Sequence, residues 1–419
     1  MFHAGFFMPA GPQMAGERFQ QRLQESLDRL RQTHRLRKEQ VISRPNSVTC
    51  RIDGRDFLNF SSNDYLGLCH APEVLQKFSE SALLQSGAGA SPLISGRSPR
   101  MLQLEQAIAE VEGTAAATVF PSGFAANIGT LLALTGPADA IFCERDNHAS
   151  LIDGCKASPA KFLVFDRARL SRLDRTLQRR RQQYDQVLLV IDALFSMDGT
   201  IPDLPAICDL AEKHDVIVMV DEAHATGIFG ARGSGVCELT GTQQRIAVRM
   251  GTLSKAIGCL GGFVAGSELL CEWIANSARS RFFSTALPPA VCHAATAALR
   301  LLAEQPARRE RLHRNARLLR TLLRERNLPL IQVAAAEGGQ LAAEELNPAV
   351  SPIIAIAVGD DQRAVSVSEQ LRQRGLLIPA VRPPTVPAGT ARLRISLSSE
   401  HHETDLETAA NAVASCLQG

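Results

Sequence analysis

The chain has 419 residues, 45% of them hydrophobic, enough for a large α/β domain with a smaller partner or about two or three domains. A net charge of +2 gives no argument for a nucleic-acid or membrane-surface partner, and no apolar run reaches the roughly 18 residues that span a bilayer. Ten scattered cysteines without a C-x-x-C pair read as buried thiols in a reducing cytosol, so the expected location is cytoplasmic and no metal site is expected.

Met1–Gly16 carries Phe2, Phe6, Phe7 and Met8 but neither a basic start nor a sustained apolar core, and reads as an N-terminal arm. Glu17–Glu39 is a charged helix with Phe19, Leu23, Leu27 and Leu30 on one face. Val48–Phe60 alternates around Asp53-Gly54, a hairpin turn signal. A polar loop, Ser61–Gly67, leads to a helix over Pro72–Gln85 with proline in its first turn. Ser86–Gly96 is glycine-rich and reads as backbone that approaches something closely. Another helix starts at Ser98-Pro99 and ends near Gly113.

From there, short apolar runs appear at Ala115–Phe120, Ala140–Cys143, Lys161–Phe165, Val187–Ile191, Val216–Val220, Ile246–Met250 and Gly262–Ala265. Helical segments separate most of them, which predicts a mostly parallel sheet covered on both faces. Apolar helices follow at Pro288–Ala303 and Ala307–Arg326, and Val333–Val350 reads as a surface insertion. Pro352–Val358, a helix at Gln362–Arg374, Leu376–Pro379, Ala391–Leu397 and a last helix from Glu403 to Leu417 form a smaller α+β unit. The expected division is a large domain over residues 61–305 and a small domain built from residues 17–60 and 306–419.

One lysine stands apart. Lys255 joins the apolar run Ile246–Gly251 to a glycine-rich turn, in Thr252-Leu-Ser-Lys-Ala-Ile-Gly-Cys-Leu-Gly-Gly262. An ammonium at the end of a buried strand is either paired or loses its proton and becomes a nucleophile. The other five lysines, Lys38, Lys77, Lys156, Lys161 and Lys213, sit in contexts that read as solvated. A Schiff-base lysine for pyridoxal 5'-phosphate is the working reading.

Asp221-Glu-Ala-His224 ends the most apolar strand, where open α/β sheets bind ligands. As a DEAH box it would need a phosphate loop with a lysine after glycine, and no lysine here follows a glycine. The alternatives are Asp221 paired with the protonated ring nitrogen of the cofactor, with His224 at the ring hydroxyl, or Asp221 as a helix cap. Phe120-Pro-Ser-Gly123-Phe124 is a strand–turn–helix junction whose free N–H groups suit a phosphate. His148, on a polar loop, either stacks on a planar ring or is a surface histidine. Ser196 belongs to an ordinary turn unless it faces the same site. Arg392 and Arg394 lie two apart on one strand face, where a guanidinium either clamps a carboxylate or makes a surface ion pair.

Taken together, SSNDYLG, SGFAAN, NHASLIDG, FSMDG, VDEAHATGIFG, TLSKAIGCLGG and FFSTALPP resemble the α-oxoamine synthases, from about Leu27 to near the C-terminus. The resemblance implies an α/β, aspartate-aminotransferase-like large domain with a mostly parallel sheet, plus a smaller α+β domain from both chain ends. It implies pyridoxal 5'-phosphate on Lys255, the acid–base group, with Asp221 at the pyridine nitrogen and His148 over the ring. Ser196 and His224 would lie near the ring hydroxyl, and Gly123, Phe124 and Thr252 at the phosphate. In a homodimer with its site at the subunit interface, Ser284 and Thr285 of the neighbouring subunit would reach that phosphate. Arg394 would bind the amino-acid carboxylate with Asn63 nearby, and Arg37 and Thr385 would line the acyl path.

The stretch Arg382–Arg394 resembles one branch, whose members join L-alanine to pimeloyl-CoA or a pimeloyl carrier protein in biotin biosynthesis. Pro92-Leu93 departs from the basic or imidazole side chain common there. Glycine-using synthases and a catalytically silent partner of the same fold are the competing readings.

Overall fold

The structure, a computed structural model, describes residues 16–331 and 350–418 apart from His34 and Lys38. The arm at residues 1–15 and, but for Val350, the insertion at Val333–Val350 lie outside the described residues.

The chain opens with a helix over Glu17–Gln32, shorter than the expected Glu17–Glu39. Its apolar face finds no cover among the described residues: Phe19, Leu23, Leu27 and Leu30 are all at least 40% exposed. The hairpin forms as expected, β1 (Thr49–Ile52) against β2 (Arg55–Asn59). Its turn places Asp53 at φ 49° and Gly54 at φ 78°, the doubly left-handed geometry that Asp-Gly tolerates best.

Seven strands then build the central sheet: β3 (Ala116–Phe120), β4 (Ala140–Glu144), β5 (Lys161–Phe165), β6 (Val187–Asp192), β7 (Ile217–Asp221), β8 (Val248–Thr252) and β9 (Gly262–Gly266). Their order is β3-β9-β8-β7-β6-β4-β5, and β9 alone runs against its neighbours. β4, β6, β7 and β8 are buried along their whole length but for Ile217, as parallel strands covered on both faces must be. The expected mostly parallel α/β sheet is therefore present, with strand limits within two residues of the apolar runs. Because β9 is antiparallel to both β3 and β8, the carboxyl ends of β3, β4, β6, β7 and β8 open on one edge.

The smaller sheets tie the chain ends together. β2 pairs in parallel with β11 (Leu376–Leu377), while β10 (Ile353–Gly359) and β12 (Ala380–Val381) flank β13 (Ala391–Ser396). Ser396 N donates to Phe60 O at 2.8 Å, so β13 continues from the first segment of the chain. The glycine-rich Ser86–Gly96 segment makes the close approach expected of it: a Cβ at Gly96 would sit on the Ala90 carbonyl oxygen.

His401 locks this junction. Its ring stacks on Phe60 with centroids 4.4 Å apart and planes 4° from parallel. Nδ1 accepts from Ser398 N at 2.9 Å, so the ring proton sits on Nε2 and is donated to Asn59 O at 3.2 Å. A second proton at Nδ1 would face the Ser398 N–H. Burial accordingly holds the His401 imidazole down to about 4. The unfolded chain takes up this proton near the ordinary histidine value of about 6.5 and the folded chain only near 4, so stability is complete above 6.5 and is lost as pH falls between the two. We expect urea midpoints of the full chain to drop on acidification across that window, with His401 accounting for about 3 kcal/mol. His401→Gln should be less stable at pH 7 but show a flatter dependence; an equal slope in the two proteins would contradict this assignment.

Candidate active site

The carboxyl edge of the sheet holds a cavity of ≈ 200 Å³. Lys255, Asp221, His148, His224, Thr252, Gly123 and Phe124 all line it. They arrive from four strand ends. β7 ends in Asp221, β8 in Thr252 just before Lys255, and β3 leads through Ser122 into the helix Gly123–Leu134. β4 leads through Asp146 to His148, the cap residue of the helix Ala149–Ala157.

Lys255 faces two carboxylates. Burial pushes its ammonium below the ordinary lysine value, and Arg394 adds to that lowering, while Asp221 and Asp192 pull it back up. The result is an amine more easily freed of its proton than any solvated lysine, yet held beside anions. Asp221 is 4% exposed; its Oδ1 accepts from Ala223 N at 2.8 Å and its Oδ2 from Asn127 Nδ2 at 2.7 Å. Asp192 is paired in register with Asp221 on the neighbouring strand. Burial first, and Asp221 next, hold its carboxyl well above the ordinary value, and its Oδ2 accepts from His148 N at 2.8 Å.

The two histidines are both kept neutral. Burial holds His224 well below its ordinary value, with Lys255 and Arg394 adding to the effect. Its Nδ1 lies 2.8 Å from the hydroxyl of Tyr65, which is fully buried. His148 is exposed at the cavity rim, yet desolvation of its ring first, and Lys255 next, lower it against the pull of Asp221 and Asp153.

At the start of the helix Gly123–Leu134, Ser122 caps Ala125 N with its hydroxyl at 3.1 Å and Ala126 N with its carbonyl at 3.0 Å. The N–H groups of Gly123 and Phe124 are left without an acceptor among the described residues, at the positive end of a helix dipole. Gly262 lets this turn seat against the sheet, since a Cβ there would lie 2.6 Å from both Gly123 N and Cα. Thr252 Oγ1 is 2.8 Å from Gly261 O and 2.9 Å from Ser254 Oγ, so its hydroxyl is partly committed within the chain. Because that proton goes to the carbonyl, the 2.9 Å contact is a donation from Ser254 Oγ, which stands exposed at the cavity edge.

A second group adjoins the cavity. Arg394 is 7% exposed and donates through Nη1 to Ser396 Oγ at 2.6 Å, through Nη2 to Asn63 Oδ1 at 3.3 Å and through Nε to the carbonyl of Ser196. The Tyr65 hydroxyl, 3.2 Å from Asn63 Oδ1, joins this group to His224. Ser196 thus touches Arg394 with its backbone, and it is not among the cavity-lining residues. Arg37 and Thr385, far apart in sequence, meet at 3.1 Å between Nη2 and Oγ1, also outside the cavity lining. Ser284 and Thr285 do not line the cavity of their own chain, and Thr285 is exposed.

Glu222, the second residue of the DEAH stretch, is 1% exposed and serves the fold, accepting from Val236 N at 2.9 Å and Cys237 N at 2.7 Å. Four residues that sequence reasoning did not single out stand in the site: Tyr65, Asn127, Ser150 and Asp192. Each lies within or beside a motif already noted, but at least one of its partners is 23 or more residues away.

A family model described as aminotransferase class I and II matches residues 55–413. A curated relative, the 8-amino-7-oxononanoate synthase of Saccharophagus degradans, is 40% identical over 400 residues, covering 94% of this chain and 96% of its own length. A serine palmitoyltransferase from S. paucimobilis, solved with PLP joined to myriocin, superposes with a TM-score of 0.84 at 29% identity, covering 94% of this chain and 96% of that one. A crystal structure of the 8-amino-7-oxononanoate synthase from Francisella tularensis gives a TM-score of 0.69 at 25% identity, covering 86% of this chain and 97% of that one. The free N–H groups at Gly123 and Phe124 fit a phosphate, and Lys255 opposite Asp221 fits an aldehyde-bearing pyridine. The chain therefore belongs to the class I and II aminotransferase family and, within it, to the α-oxoamine synthases, acyl-transferring enzymes dependent on pyridoxal phosphate.

Proposed function

We propose that the chain condenses L-alanine with a pimeloyl thioester, carried by CoA or a carrier protein, to give 8-amino-7-oxononanoate, CO2 and the free thiol, a step of biotin biosynthesis. One observation carries the reading: Lys255, Asp221, His148 and His224 line a single cavity in a chain 40% identical to an 8-amino-7-oxononanoate synthase over nearly its whole length.

Bound pyridoxal phosphate supplies an aldehyde for the amino group and a conjugated ring that takes up the charge left when the α-proton departs. Lys255 would hold the aldehyde, and its Nζ would take the α-proton of the amino acid. Its lowered proton affinity suits it to that task. Asp221 keeps the pyridine nitrogen protonated, and its place is fixed by Ala223 N and Asn127. Gly123 and Phe124, with Thr252, would hold the phosphate, and His148 would cover the ring face. His224, and by resemblance Ser196, would lie toward the ring hydroxyl.

Arg394, with Asn63 against its Nη2, receives the amino-acid carboxylate as a buried, oriented guanidinium. Arg37 and Thr385 border the acyl path, where their mutual hydrogen bond holds the long arginine in place. Assembly as a homodimer would bring Ser284 and Thr285 of the second copy to the phosphate, since in their own chain they do not reach the cavity.

A second reading has support in the likeness to serine palmitoyltransferase, whose TM-score of 0.84 exceeds the 0.69 of the Francisella enzyme. Product analysis separates the two. Purified enzyme is offered L-alanine, glycine and L-serine, each with pimeloyl, acetyl, succinyl and palmitoyl thioesters. Mass spectrometry should find 8-amino-7-oxononanoate from alanine with the pimeloyl thioester as the preferred product. Preference for another pair would overturn the proposal. In the same assay Arg394→Lys should raise the KM for the amino acid by about tenfold to a hundredfold, the loss of a bidentate carboxylate clamp, with a smaller change in the acyl KM.

A further inference from the structure

Two buried side chains at the active-site cavity do more than hold Asp221 in place. Asn127 is 1% exposed on the first turns of the helix Gly123–Leu134, and Ser150 is 1% exposed near the start of the helix Ala149–Ala157. Together they join Asp221 to His148. Asn127 Nδ2 lies 2.7 Å from Asp221 Oδ2 and 2.9 Å from Ser150 Oγ, and Ser150 Oγ lies 2.7 Å from His148 Nδ1.

The direction of every proton in this chain follows from its first link. A carboxylate only accepts, so the amide must turn its NH2 toward Asp221. Its two N–H groups then go to Asp221 and to Ser150. Asn127 Oδ1 is left buried without a partner, a cost that the reverse orientation would exceed by setting two oxygens against each other. Ser150 Oγ receives the amide proton and is left with one proton to give. The acceptor in reach is His148 Nδ1, which also receives Ser150 N at 3.3 Å. A nitrogen that accepts two hydrogen bonds carries no proton, so the imidazole proton lies on Nε2. Nε2 has no hydrogen-bond partner among the described residues, and His148 lines the cavity.

We propose that Asn127 and Ser150 are positioning residues that hold His148 as the Nε2–H tautomer, so that this ring gives the cavity a hydrogen-bond donor and no proton acceptor. The surrounding groups agree. Asp221 acts on the ring from the end of β7, Lys255 from beyond β8, His224 from the loop after β7 and Asp153 from the ring's own helix. Asp192, from β6, engages the backbone N–H of His148 and not the ring. A second proton on the ring would have to enter at Nδ1, against the hydroxyl and amide protons of Ser150. The inference rests on the reaction proposed above in one respect: it leaves removal of the α-proton to Lys255 alone, because His148 has no free lone pair to take it.

The test reads protons and not turnover, so its failure is separate from a failure of the substrate assignment. Full-length protein carrying 15N-labelled histidine rings, before and after loading with pyridoxal phosphate, is compared by NMR with His148→Gln to assign the His148 signals. The ring-nitrogen shifts should show a single Nε2–H tautomer in both forms. Asn127→Leu and Ser150→Ala should each convert this to a mixture of the two tautomers, whereas Ser150→Thr, which keeps the hydroxyl, should restore the single form. A wild-type ring protonated on Nδ1, or already a mixture, would overturn the proposal even if neither variant folds. So would an unchanged single tautomer in folded Asn127→Leu.

Discussion

Everything in this site depends on an amine held out of water next to carboxylates. Lys255 sits just past β8, where burial favours the neutral amine and Asp221 and Asp192 favour the ammonium. Neither influence acts alone. Without the carboxylates the lysine would be a strained neutral group, and without burial it would be an ordinary surface cation. The sheet makes the balance possible because β6, β7 and β8 are adjacent and parallel, so their carboxyl ends deliver Asp192, Asp221 and Lys255 to one edge. Glycines then remove the obstacles: Gly262 lets the phosphate-facing helix start seat directly on the sheet.

Two chains of hydrogen bonds lead away from that centre. One runs from Arg394 through Asn63 and Tyr65 to His224. The other runs from Asp221 through Asn127 and Ser150 to His148. Their inner members, Arg394, Tyr65 and His224 in one and Asp221, Asn127 and Ser150 in the other, are buried, and in such surroundings a polar group without a partner is costly, so each chain fixes the orientation of its members. The first connects β13, near the end of the sequence, to a cavity built from its middle. The small sheets serve that connection, since Ser396 bonds to Phe60 and His401 stacks on the same phenylalanine.

The central sheet was legible in the residue pattern because every one of its strands is a short run of apolar residues bounded by turns, and burial on both faces requires nothing more. Lys255 was legible by contrast with its setting, and Asp221 by its place at a strand end. Thr252 is legible as a candidate phosphate ligand by its place before Lys255, whereas the bonds that tie its hydroxyl to Gly261 O and to Ser254 are not. Tyr65, Asn127 and Ser150 were not legible as site residues, because what makes them so is contact across the fold: Tyr65 meets a histidine 159 residues away and Asn127 an aspartate 94 residues away. Local pattern carries no record of such pairings. The end of the first helix is illegible for a related reason, since charged side chains continue in helical style past Gln32 while the backbone leaves the helix at Thr33.

The most direct test of the central claim is covalent capture. Holoenzyme treated with borohydride, digested and mapped by mass spectrometry should carry the reduced pyridoxyl group on the peptide that contains Lys255 and on no other. The chain offers only six lysines, which makes the assignment unambiguous. Label on any of the other five, or a holoenzyme that takes up none, would contradict the account of Lys255 as the amine around which the site is built.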